Sequence, residues 1–156
     1  MKIRLLTVSQ RQPAWVVEGT AEYVRRLPRV WGFEVVEVKP APRGSGATVQ
    51  RSMAIEAERL SAVVAKTARV IALDERGEPW STEDVAKRLS AWLRQGQDIA
   101  LVIGGADGLD PTFRQQAAER WSLSAATLPH GLVRIVVAEQ LYRAATLLDG
   151  HPYHRR

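Results

Sequence analysis

The sequence predicts an α/β fold with a mostly parallel sheet and helices on both faces. Short apolar runs with strand character alternate with helical patterns along the whole chain, which is the signature of strand–helix–strand units. Two of those runs end on polar or glycine-rich turns, at Asp74-Glu75 and Gly104-Gly105, as strands do when they open onto loops. No linker, internal repeat or low-complexity tract divides the chain, so residues 1–156 read as one domain, long enough to bury a real core.

The elements follow in order. Ile3–Val8 reads as a strand. Pro13 opens a helix through about residue 27, with Trp15, Gly19, Tyr23 and Leu27 four apart on one face. Residues 33–38, FEVVEV, alternate apolar and acidic as a second strand. Pro40, Pro42, Gly44 and Gly46 then mark a loop that carries Arg43. Apolar residues at helical spacing predict a long helix over 48–66, and residues 70–73 a short buried strand. Ser81 is an N-cap, with Glu83 and Asp84 suited to the first turn of a helix that stops at Gly96. Ile99–Ile103 is another buried strand. Asp110 and Pro111 start a helix as N-cap and first residue. Residues 121–130 read as a connector, and 132–148 as a last helix, apolar over so much of its circumference that a partner surface is expected against it.

Composition narrows the functional class. Hydrophobic content of 46% and charged content of 25% are those of an ordinary soluble globular protein. The absence of cysteine excludes a disulfide scaffold and zinc-finger chemistry, and fits a reducing cytoplasmic location. The first residues are too short an apolar run for a signal peptide, and no window approaches the roughly 18–20 apolar residues of a membrane span, so no membrane partner is expected. A formal net charge of +5 is compatible with a polyanionic partner such as nucleic acid.

The chemistry concentrates in the last third, which holds all three histidines, His130, His151 and His154. Gly104, Gly105 and Gly108 follow a strand and precede a helix, where ligands sit in α/β sheets and where glycine lets the backbone approach a cofactor. A tight strand-to-helix turn would need the same glycines. The spacing is neither G-x-G-x-x-G nor a P-loop, which argues against NAD and ATP. Residues 121–130 carry small side chains suited to wrapping an adenine with main-chain groups, or to a buried connector. Glu139 lies in an apolar run and needs a partner, and Arg143 stands four residues on. The pair is either a structural ion pair or part of a pocket. In the tail HPYHRR, Pro152 stiffens the chain, Tyr153 suits stacking on a base and the arginines suit phosphate, although a chain end also frays.

Taken together, IGGADG, WSLSAATLPHGLVRIVVAEQLYRA and HPYHR, with KIRLLTV, AEYVRRLP and VIALDERGEPW upstream, make a long and specific series. The chain resembles the bacterial ribosomal large-subunit pseudouridine N3-methyltransferases of the SPOUT class. The resemblance implies an α/β fold with a C-terminal trefoil knot, a homodimer, and S-adenosyl-L-methionine bound in the knot. It implies methyl transfer to N3 of a pseudouridine in large-subunit ribosomal RNA, in the helix 69 loop on the assembled ribosome, with no metal. The cofactor contacts it implies are Leu73, Gly104, Gly105, Leu123, Ser124, Ala125, Ala126, Thr127 and Leu128. It implies that the tail HPYHR reaches the target base. The catalytic candidates are then His154 as base or base-orienting group, Arg143 of the last helix and Arg155 against the anion developing on the uracil ring, and Tyr153 packed on the base. The sequence departs from the family at Ala106-Asp107, where proline and glutamate are frequent, and at Gly131, where proline is. A non-catalytic RNA-binding protein that keeps the fold is the alternative, separated by whether the protein binds S-adenosyl-L-methionine. A nucleotide-dependent oxidoreductase is disfavoured by the glycine spacing.

Overall fold

In the computed structural model, which describes residues 1–44 and 46–154, five strands form one sheet. They are β1 (Ile3–Val8), β2 (Glu34–Val38), β3 (Arg69–Pro79), β4 (Ile99–Ile103) and β5 (Glu119–Ser122), in the order β2-β1-β4-β3-β5. Every pairing is parallel. Parallel neighbours require crossovers, and the helices supply them: α1 (Ala14–Val24), α2 (Val49–Val63), α3 (Thr82–Gln95), α4 (Pro111–Gln116) and α5 (His130–Asp149).

The strand period of two sorts the core into two layers. Ile3, Leu5, Ile71, Leu73, Ile99, Leu101 and Ile103 face α3 and α5, with Trp92, Val137 and Leu141, and α1 packs on α5. Leu6, Val8, Ala72, Ala100 and Val102 face the other way, against Leu60 of α2 and Phe113 of α4. A sheet covered on both faces explains why β4, IALVI, is apolar without alternation.

Local chemistry sets most boundaries. The Thr48 side chain caps α2 by accepting the Arg51 N–H at 3.1 Å. Ser81 and Asp84 form a reciprocal capping box, and Gly96 ends α3 in the left-handed conformation at φ 66°. Asp110 caps α4 through the N–H groups of Thr112 and Phe113. Pro13 is the N-cap of α1 rather than its first residue, and α1 ends at Val24, three residues before Leu27.

Three elements differ from the sequence expectation. β5 is a strand where a connector was expected, because only Trp121 among its residues is a large apolar side chain and its pairing comes from distant β3. β3 continues to Pro79 instead of stopping at Leu73, through an irregular register in which both Leu73 and Glu78 oppose Trp121. α5 begins at His130, and its apolar surface is largely covered within the chain. A Cβ at Gly19 would lie 2.8 Å from Ile135 Cδ1, so α1 seats tightly on α5, and α3 packs along another side. Only Leu132 (39% exposed) and Leu148 (42%) remain as exposed large apolar residues of α5. The circumference of this helix therefore does not by itself call for a partner. Among the described residues, no helix is long and apolar enough to cross a membrane.

Candidate active site

A cavity of about 440 Å³ opens at the carboxyl ends of β3, β4 and β5. It lies to one side of the β1/β4 boundary, where connections leave in opposite directions and open α/β sheets usually bind ligands.

The glycine loop after β4 makes one wall. A Cβ at Gly104 would lie 2.7 Å from the Gly108 carbonyl carbon and 2.8 Å from Leu109 N. Gly108 adopts φ 83°, and its N–H donates to the Gly105 carbonyl at 3.0 Å. Glycine is needed here because the loop closes on its own backbone, and the closed loop then faces the cavity.

The bulge in β3 makes the second wall. The extra residues between Leu73 and Glu78 leave the ladder, which aims Asp74, Glu75 and Arg76 into the cavity. The strand can rejoin β5 only at a glycine, since a Cβ at Gly77 would lie 2.7 Å from the Arg120 carbonyl carbon. Asp74 pairs with Arg76 at 3.3 Å and Arg114 at 3.4 Å. Burial pushes its pKa up, but the hydrogen bonds from Arg76 and the two positive charges outweigh it, and the carboxyl sits below its ordinary value.

Residues 123–129 form the third wall. Ser124 Oγ accepts the Ala126 N–H at 2.9 Å, and Ser122 Oγ donates to the Ser124 carbonyl at 3.0 Å. Thr127 Oγ1 donates to Glu75 Oε2 at 2.5 Å, which ties this segment to the bulge. Trp121 lines the floor, stacked on Trp80 at 5.0 Å, and Trp80 is capped by the Arg88 guanidinium at 4.0 Å. His130 and Val133, in the first turn of α5, complete the lining. Burial pushes the His130 pKa down, Arg134 adds to this, and Glu37 opposes it.

Of the nine residues expected at the cofactor, the cavity brings together Leu73, Gly104, Gly105, Leu123, Ser124, Ala126, Thr127 and Leu128, while Ala125 is not among its lining residues. Asp74, Glu75, Asp107 and His130 line it too, though the sequence did not single them out for the cofactor. Their signals were an acidic pair at a strand end, an acid between two glycines, and a proline–histidine step into a helix.

The residues expected in catalysis stand elsewhere. Arg143 donates from Nε (2.9 Å) and Nη2 (2.6 Å) to Glu139 Oε1, and the Tyr153 hydroxyl donates to the same oxygen at 3.2 Å. The Tyr153 ring packs on Tyr142 at 4.5 Å, with the Arg143 guanidinium 5.1 Å from its centre. Burial and the Glu139 carboxylate push the Tyr153 pKa up to about 12, and the hydrogen bond to Glu139 raises that of Arg143. None of these residues lines the cavity. At 1.5 Å per residue, Arg143 is about 20 Å along α5 from His130. The His154 backbone closes a short 3₁₀ turn, Pro152–His154, but its side chain lies outside the described residues, as do Arg155 and Arg156. Among the described residues there is no group of three or more His, Cys, Asp or Glu side chains that could hold a metal.

A parallel α/β sheet with a cavity at its strand ends, walled by a glycine loop and a small-residue segment, places the chain in the α/β class. The chain belongs to the SPOUT methyltransferase family: the family model described as "Predicted SPOUT methyltransferase" matches residues 1–154. It is 52% identical over 155 residues to a protein of Nitrosococcus oceani named ribosomal RNA large subunit methyltransferase H, covering 99% of each chain. It is 51% identical to a Methylococcus capsulatus protein of the same name, covering 99% of this chain and 100% of that one. Among solved structures, a probable methyltransferase from Bordetella pertussis superposes with a TM-score of 0.59 over 92% of this chain and 95% of that one, at 19% identity. That likeness speaks to the fold.

Proposed function

We propose that this chain is a single-domain S-adenosyl-L-methionine-dependent methyltransferase acting on N3 of a pseudouridine in large-subunit ribosomal RNA, in the helix 69 loop of the assembled ribosome. The observation that carries the reading is the full-length match to proteins named ribosomal RNA large subunit methyltransferase H. The cavity residues suit the cofactor. Leu73, Leu109, Leu123 and Leu128 offer an apolar seat of the kind an adenine needs, in a volume typical of small-molecule sites. Asp74, Glu75 and Asp107 offer carboxylates to ribose hydroxyls and to the cationic amino-acid end. The chain leaves β5 at the sheet edge and returns as α5 against β1, β4, α1 and α3, the path that a trefoil crossing would take.

When bound, the cofactor would supply a methyl group already activated on a sulfonium, whose S–CH₃ bond breaks to leave a neutral thioether, so the protein's task is alignment. The N3–H bond of the target base breaks and an N3–CH₃ bond forms, and the proton leaves to His154 or to a water that His154 orients. Tyr153 keeps its proton near neutral pH, given its raised pKa, and serves as donor and packing surface. Arg143 and Arg155 stabilise negative charge on the uracil oxygens.

The separation of Tyr153 and Arg143 from the cavity supports a homodimer in which each tail serves the partner's cavity. A two-fold axis that ran two α5 helices antiparallel would bring the tail end of one to the cavity end of the other. Exposed Trp15 and Val17 (54% each) and Leu132 lie on the two helices such an interface would use.

The test is methyl transfer from labelled S-adenosyl-L-methionine to ribosomes from a strain lacking the enzyme, with mass spectrometry of the modified nucleotide. Transfer to N3 of one pseudouridine is expected. A protein that binds ribosomes but neither binds the cofactor nor transfers a methyl group would refute the reading.

A further inference from the structure

Glu56 projects from α2 towards the sheet and is 2% exposed. A carboxylate buried this deeply is costly unless it is paired and hydrogen-bonded, and an apolar side chain would pack α2 as well. Its Oε2 accepts the Ala41 N–H at 3.0 Å and lies 3.5 Å from Arg43 Nη2. Its Oε1 has no hydrogen-bond partner among the described residues. Both oxygens sit against the glycine loop: a Cβ at Gly105 would lie 3.1 Å from Oε1 and 3.3 Å from Oε2. On the cavity side of the same loop, the Asp107 carboxylate forms an ion pair with Arg43 Nη1. One guanidinium therefore spans two carboxylates, one beneath the loop at Gly105 and one on the loop two residues later. Arg43 is suited to this because its planar fork holds donors on separate nitrogens in a fixed spread, whereas a lysine's three donors all leave one nitrogen. Neither Glu56 nor Arg43 lines the cavity.

We propose that Glu56 and Arg43 are positioning residues for the cofactor loop: the buried Glu56 carboxylate seats Gly105 from below, and Arg43 clasps that carboxylate to Asp107 across the loop. The clasp ties α2 and the 39–44 segment to the 104–108 loop, so the loop holds the shape that walls the cavity before any ligand arrives. The role of Gly105 follows, since a side chain there would meet the Glu56 carboxylate and Val8 Cγ1 at 3.1 Å. The inference rests on the cavity being the cofactor site.

Arg43→Ala, Arg43→Lys and Glu56→Gln test it in the full-length protein. The Arg43 side chain is 40% exposed, so its replacement does not open the core and carries the test should Glu56→Gln fail to fold. Amide hydrogen exchange of the ligand-free protein is expected to be about tenfold faster in peptides spanning 104–108, with β4 and α2 core peptides unchanged. Calorimetric titration with S-adenosyl-L-methionine is expected to give affinity weakened about tenfold in Arg43→Ala and Glu56→Gln, with Arg43→Lys between them and wild type. Loop exchange and cofactor affinity both within about twofold of wild type in folded variants would overturn the proposal. So would a lowered unfolding midpoint with unchanged affinity and faster exchange spread over α2, which is what a purely structural ion pair would produce. Should the wild-type protein not bind the cofactor at all while loop exchange still rises in the variants, the cofactor assignment fails and the clasp on the loop stands.

Discussion

Gly104 illustrates how a residue chosen for a ligand can be required first by its own chain. The sequence left open whether this glycine clears space for a cofactor or serves a tight turn, and the structure places the nearest backbone at Gly108 and Leu109. Gly104→Val is therefore expected to open the loop, costing about 1–3 kcal/mol, and to abolish cofactor binding with it. Urea denaturation alongside calorimetry checks this, and wild-type stability in the variant would contradict it. His130 makes a second prediction. Its folded pKa is below the ordinary 6.5, because of burial and the Arg134 charge, with Glu37 opposing. As pH falls below 6.5 the unfolded chain takes up the proton more readily than the folded one. The stability from this group is thus fully present above that value and lost as pH falls towards the lower folded pKa. Between about pH 7.5 and about pH 5 the urea midpoint should fall less in His130→Gln than in wild type, and parallel slopes would refute the prediction.

Among elements, α3 is the one whose ends are written out in its own residues. Ser81 accepts the Asp84 N–H at 3.1 Å, and the Asp84 carboxylate accepts the Ser81 N–H at 3.0 Å. The helix then buries Val85, Leu89 and Trp92 in the core that backs the cavity strands. Ser81→Ala is expected to cost about 1 kcal/mol with little change in cofactor affinity, read from the urea midpoint and a titration. A loss under about 0.3 kcal/mol would mean that packing alone holds this end. β5 is the opposite case. Its Glu119 is held by Arg69 and Arg88, both at 3.0 Å, and its backbone by β3, so nothing within ERWS itself announces a strand. The β3 bulge is equally non-local, because it exists only where β5 pairs on both sides of it.

At the scale of the whole molecule, the distance between the cavity and the Tyr153 cluster is the main constraint on mechanism. A chain lacking residues 153–156 retains the cavity, and a Gly104→Val chain retains the tail. If each tail serves the partner's cavity, a heterodimer of the two has one site with both parts intact, and purified heterodimer should recover about half of the wild-type methyl transfer. If the tail serves its own chain, both sites are broken and the heterodimer is inactive. Differently tagged chains and the ribosome methylation assay distinguish the outcomes.

The sequence by itself determined the alternation of strand and helix, the caps at Ser81 and Asp110, the stop at Gly96 and most of the residues that wall the cavity. These are readable because caps, glycine stops and hydrophobic period act over a few neighbouring residues. The family was readable too, since long motifs such as SLSAATLPHGLVR retain their order along the chain. Only the tertiary structure decided that β5 is a strand, that β3 bulges to turn Asp74 and Glu75 into the cavity, and that α5 is covered by α1 and α3. It alone set Glu56 beneath Gly105 and kept Arg143 and Tyr153 away from the cavity within one chain. Those outcomes depend on pairings between residues tens of positions apart, whose partners are chosen by sheet order and close packing, and neither of these leaves a periodic trace in the sequence.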